Sequence, residues 1–195
     1  MCSASLSVAA DADSHGQESV AQVRSSEGPN LKVEIFADAS MVKNVTAICF
    51  DDQGRLYVTE SDRWRNGVED NRDHLFWVMD DLASQTTGDR RAMIEKWADR
   101  FAPDFFTRES ERVVRVEDSD GDGKADKQTI FADGFNDALD GPAIGLLSGF
   151  GKIYLANIPH LWTLTDADDD GVAEKRESMQ DGFGPRFSLS GHDLH

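Results

Sequence analysis

An aspartate-rich loop occurs twice in this chain, 48 residues apart, and the same trailer follows it each time. The first copy reads D-S-D-G-D-G-K-A-D-K from Asp118 and closes on D-G-F at Asp133; the second reads D-A-D-D-D-G-V-A-E-K from Asp166 and closes on D-G-F at Asp181. Nine of the eighteen aligned positions are identical, without a gap. A period of roughly 20 to 50 residues marks a chain built from supersecondary units that bury their apolar faces only by stacking on one another.

The residues around the loops give the unit its secondary structure. Upstream, R-V-V-R-V-E (Arg112 to Glu117) falls opposite H-L-W-T-L-T (His160 to Thr165), and both runs read as strands entering a loop. Downstream, Thr129 and Phe131 alternate with Gln128 and Ile130, and the second copy, Lys175 to Gln180, is more polar, as expected of an edge strand wet on one side. A further echo joins G-R-L-Y-V-T-E at Gly54 to G-K-I-Y-L-A-N at Gly151, at an offset of 97. The two offsets agree once an insertion is removed: Ser61 to Glu111 separates the strands in the first unit and only Ile158 and Pro159 do so in the second, a difference of 49 residues.

With V-T-A-I-C-F (Val45 to Phe50) added, each unit has four short strands, the pattern of a β-propeller blade. The expected fold is therefore all-β: a partial propeller over residues 31–195, two four-stranded blades plus the start of a third, with a helical insertion at 61–111 in the first blade. Leu31 to Phe36 (L-K-V-E-I-F) reads as an alternating strand that completes the last blade of a ring. The third unit is due at Gly191, 48 residues after Ala143, so the chain reads as a fragment of a longer protein.

Net charge is −17, which argues against nucleic acid and anionic membrane surfaces as partners. Residues 1–30 are small and polar without strand or helix period and read as a disordered lead. Within it, S-A-S-L-S-V-A-A-D-A has the flavour of the end of a truncated signal peptide, so export is expected. The two cysteines, Cys2 and Cys49, imply no disulfide framework, and no run is long enough to span a membrane.

In the insertion, Met93, Ile94, Trp97, Ala98 and Phe101 recur at helical spacing, predicting an amphipathic helix of about four turns that Pro103 breaks. It is either a packing subdomain or the wall of a binding site, with Arg63, Arg65, Asn71, Arg72 and His74 as polar candidates.

Calcium takes about six to eight oxygen ligands, and D-x-D-x-D-G-x-x-D supplies carboxylates at alternate positions while glycine permits the turn around the ion. The expected ligands are Asp118, Asp120, Asp122 and Asp126 with the Lys124 carbonyl, then Asp166, Asp168, Asp170 and Glu174 with the Val172 carbonyl. The EF-hand glutamate at the twelfth position is replaced by Thr129, and the flanks are strands rather than helices. The bland alternative is a pair of solvated hairpin turns built on D-G. Asp169 stands in the second loop where the first has Gly121. The expected role of the ion is structural, pinning the outer hairpin of a blade. His160 reads as a surface residue, whereas His192 and His195 fall on the innermost strand of the third unit, as polar lining of the channel, proton acceptors or metal ligands.

L-K-V-E-I-F-A-D, V-T-A-I-C-F-D-D-Q-G-R-L-Y-V-T-E, the first Asp loop with its trailer, and G-H-D-L-H together resemble the N-terminal propeller of planctomycete-type "membrane-bound dehydrogenase" proteins, over Leu31 to His195. Those proteins are similar to soluble quinoprotein sugar dehydrogenases. The resemblance implies a propeller that binds pyrroloquinoline quinone (PQQ) over its channel and oxidises sugars or other alcohols, with haem c in a C-terminal domain of many relatives. It assigns His192 as the base that accepts the substrate hydroxyl proton, with His195 second. Two other functions fit the same repeat: a non-enzymatic propeller binding glycans or proteins, and a lactonase-like metal hydrolase using channel carboxylates.

Overall fold

The computed structural model describes residues 34–187. Among these, eight strands form two four-stranded antiparallel sheets, each in chain order. The first comprises β1 (Val45–Phe50), β2 (Leu56–Glu60), β3 (Glu111–Glu117) and β4 (Lys127–Phe135). The second comprises β5 (Ala143–Gly149), β6 (Lys152–Asn157), β7 (His160–Thr165) and β8 (Lys175–Asp181). Two helices, α1 (Val78–Ala83) and α2 (Thr87–Lys96), interrupt the first sheet between β2 and β3.

Burial follows the expected pattern. All five residues of β2 are buried, as in a strand covered on both faces, whereas β4 keeps Phe131 and Phe135 inside and leaves Gln128 and Ile130 outside. Every residue of β8 is exposed, which marks it as the polar outer edge. The main core lies between the sheets: Tyr57, Val113, Phe131 and Phe135 of the first meet Ala143, Ile153, Leu155 and Leu164 of the second. At the inner strands the Thr46 hydroxyl donates to the Ala143 carbonyl. Leu56, Val58, Val114 and Val116 form a second core on the far face of the first sheet, under Phe36, Met41 and Val42. The two sheets form no closed ring, and Ile48 and Phe50 on β1 and Leu147 on β5 remain exposed.

The insertion differs from expectation in its helix. Rather than four turns reaching Phe101, α2 runs ten residues, opened by a Thr86–Asp89 capping box, and ends at Trp97 ahead of a separate 3-10 turn at Ala98–Arg100. The cause is tertiary: the Trp97 indole donates to Asp80 at 2.7 Å and its ring packs 5.1 Å from Phe76, so the chain turns there rather than at Pro103. Arg90 also departs from a solvent face. It is buried, with its guanidinium 4.6 Å over the Phe187 ring and Nη1 donating to the Gly184 carbonyl at 2.9 Å. A third cluster, built on Trp77, Met93, Ile94, Phe106, Leu139 and Phe187, joins the insertion to the β4–β5 connection and to the segment after β8.

Glu34 to Phe36 are not in a strand, and Leu31 to Val33, like the lead at 1–30, lie outside the described residues. No helix among the described residues is long and apolar enough to cross a membrane.

Candidate metal centres

Antiparallel order puts the insertion, the β4–β5 connection and the β6–β7 turn at one end of the strands, and both Asp loops at the other. Each loop joins the third strand of its sheet to the outer one, so the carboxylates sit on a hairpin held by two paired strands.

In the first loop one carboxylate oxygen from each of Asp118, Asp120 and Asp126 lies within 4.8 Å of the others; Asp122 is not in this set. Asp118 accepts from the main-chain N–H groups of Gly121, Asp122 and Gly123, and these bonds, Gly123 first, hold its carboxyl below the ordinary range. Asp126 is engaged by Ser119, through the main chain at 3.0 Å and the hydroxyl at 2.8 Å.

The second loop brings together all four of its predicted side chains, Asp166, Asp168, Asp170 and Glu174, by the same measure. Glu174 and then Asp170 push the Asp168 carboxyl above its ordinary value, the signature of a crowded anionic site. The donor set is hard oxygen throughout and suits calcium in chemistry. Asp169 takes φ 62° where Gly121 takes φ 78°, and Gly171 and Gly123 match at 99° and 91°. Aspartate is among the few side chains that visit the left-handed region routinely, so the loop keeps its shape without the glycine.

Sequence reasoning missed the partners of this loop. Arg115, only 2% exposed, reaches from β3 to Asp166 at 3.2 Å and Asp169 at 3.6 Å. Arg55, on the first sheet's β1–β2 turn, pairs with Asp169 as well and holds that carboxyl below its ordinary range. The guanidinium of Arg115 packs so closely on Gly171 that a Cβ there would meet Nη2 at 2.7 Å. An arginine inside the apolar run of β3 was the available signal, since a buried charge requires a partner.

The loops dock in the same way on what precedes them. Ala173 N donates to the Phe131 carbonyl and Ala125 N to the Phe36 carbonyl, at 2.8 and 2.7 Å. The two donors are 48 residues apart, and the two acceptors belong to identical tetrapeptides, Ile35 to Asp38 and Ile130 to Asp133.

The polar candidates of the insertion are all engaged by other groups of the chain. Arg63 is fully buried and donates to the carbonyls of Glu109, Asp137 and Asp140, Asn71 bridges Trp77 and Asp81, and His74 meets Glu69 at 2.7 Å. Arg72 pairs with Asp70, and Arg65 lies 3.4 Å from Asp73. His160 is half-buried and shares a 3.1 Å contact with Ser178. His192 and His195 lie outside the described residues. The inner strands β1 and β5 carry no Arg, Lys or His.

No curated protein and no solved structure matches the chain at significance. A family model described as Domain of unknown function (DUF7133) matches residues 16–191, and the chain belongs to that family.

Proposed function

We propose that this chain forms calcium-clasped blades of an exported β-propeller, the N-terminal part of a quinoprotein-like dehydrogenase that oxidises sugars or other alcohols. The repeated docking of the Asp loops carries the architecture. Phe36 meets the first loop as Phe131 of the outer strand β4 meets the second, through the same main-chain bond and within the same tetrapeptide. In this reading the segment at Phe36, though not itself in a strand, stands where the outer strand of a preceding blade would dock. One operation then relates successive units, the condition for a ring.

The loops act between blades in this reading, rather than only pinning their own hairpins. Calcium would neutralise the converging carboxylates and hold each loop in the shape that meets the preceding unit. Asp118, Asp120 and Asp126 are the side-chain ligands in the first loop, and Asp166, Asp168, Asp170 and Glu174 in the second. The oxidation reading rests on the sequence resemblance, with His192 as proton acceptor and His195 second.

Calcium titration followed by calorimetry and thermal melting tests the loops. Wild type is expected to bind two ions and melt higher, with Asp120→Ala losing the first site and Asp168→Ala the second. Unchanged affinity and melting in both variants would remove calcium from the account. For the enzyme, normal dye-linked sugar oxidation by His192→Ala would exclude that residue as the base.

A further inference from the structure

We propose that the groove at the insertion end of the molecule, between the β4–β5 connection and the start of β7, binds a saccharide. It is an open groove of about 540 Å³ at the opposite end of the strands from the Asp loops, so the inference goes beyond the calcium reading. That size falls in the range of roughly 300–1,000 Å³ typical of small-molecule sites.

Its walls come from three distant parts of the sequence: the insertion, the β4–β5 connection and the second sheet. Arg176 has no carboxylate in ion-pairing distance among the described residues, although the chain carries a net charge of −17. Its guanidinium lies 4.5 Å over the Phe135 ring and 5.4 Å over Trp162, and Nη1 donates to the Asp133 carbonyl at 3.0 Å. A guanidinium has five N–H donors, so most of its capacity is unspent while the rings hold it in place.

Acceptors line the same groove. Asn136 donates its Nδ2 to the Thr107 carbonyl at 2.8 Å, which leaves Oδ1 without a partner among the described residues. Asp140 Oδ2 accepts from Asp137 N at 2.8 Å, and its Oδ1 is likewise without a hydrogen-bond partner there. Burial pushes the Asp140 carboxyl up, so its free oxygen gains from a ligand hydroxyl. Half-buried His160 and Trp162, 4.4 Å apart, add aromatic surface beside these groups. Planar donors, acceptors and aromatic rings in one cleft suit a molecule with many hydroxyls on an apolar ring frame. The charges favour a ligand without net positive charge, since Arg91 already neutralises Asp137 at 2.6 Å and Arg176 occupies the cation position over the rings.

The test is titration with glucose, cellobiose and glucuronic acid, read by saturation-transfer NMR and calorimetry, in calcium and in EDTA. Arg176→Ala and Asn136→Ala lie outside the three apolar cores, and their melting curves report folding separately. At least one of the sugars is expected to bind, about tenfold more weakly to Arg176→Ala, as for loss of a charge-assisted hydrogen bond. Binding that survives in EDTA while calcium titration of the loops fails would leave the groove standing and remove only the calcium reading. No binding by any of the three sugars, wild-type affinity in both variants, or binding of choline in place of the sugars would overturn the proposal.

Discussion

The two Asp loops diverge in a direction opposite to their sequences. The first has the cleaner motif, with glycines at 121 and 123, yet gathers three carboxylates; the second has an aspartate in the glycine position and gathers four. The difference lies in the surroundings. The second loop rests on the first sheet, where Arg115 and Arg55 pair with Asp166 and Asp169, and its Asp170 joins Asp166, Asp168 and Glu174 in the cluster. The first loop rests on the single segment at Phe36, and Asp122, the counterpart of Asp170, stays out of its cluster. A motif sets which ligands are available; the neighbouring unit decides which converge.

The sharpest way to break this comparison is to truncate the two equivalent phenylalanines. Phe131, 1% exposed, is expected to cost about 3–5 kcal/mol on change to alanine, and half-buried Phe36 about 1–2 kcal/mol, measured by urea unfolding. Equal losses would mean that the segment at Phe36 is as firmly built as a paired strand.

Next in size is Arg115→Ala, which strands Asp166 against the first sheet. A loss of about 3 kcal/mol is expected, as for breaking one side of a buried ion pair. A cost below about 1 kcal/mol, the value of an exposed pair, would show that the clasp contributes little to holding the sheets together.

Smaller effects separate the turns themselves. Gly121→Ala should destabilise by about 1 kcal/mol because its φ of 78° lies in the left-handed region, whereas Asp169→Gly removes only an exposed ion pair and relieves the backbone, so its unfolding midpoint should stay close to that of wild type. A large loss at Asp169 with none at Gly121 would reverse the ranking.

The smallest effect is in acid. Arg55 holds Asp169 below its ordinary value, so the pair stabilises fully above the unfolded-state value of about 3.9 and is lost as pH falls through the lowered folded-state value. Asp169→Asn should therefore move the acid-unfolding midpoint slightly upward in pH. A midpoint that does not move would show that the pair is solvated in solution.

Much of the sheet structure was legible in the residues. The runs Val45–Phe50, Leu56–Glu60 and His160–Thr165 form strands at the bounds that their alternation and turn residues indicate, and the exposed β8 follows from its polarity. The helical insertion was legible as a helix but not in length, because Trp97 finds Asp80 and Phe76 instead of continuing the turn. Arg63, legible only as a polar candidate, proved to be a buried clamp on three carbonyls. No local pattern tells a buried arginine with distant partners from a solvated one.

By itself, then, the sequence determined the period of 48, the strands within each unit and the carboxylates on each hairpin, since turn chemistry and alternation act within a few residues. Only the tertiary structure decided that the second loop closes on four ligands and that Arg115 and Arg55 fasten it to the preceding sheet. It also decided that Arg176 lies unpaired by any described carboxylate in a groove built from three distant segments. Those outcomes depend on which side chains meet across units, and contacts of that kind are set by packing rather than by spacing along the chain.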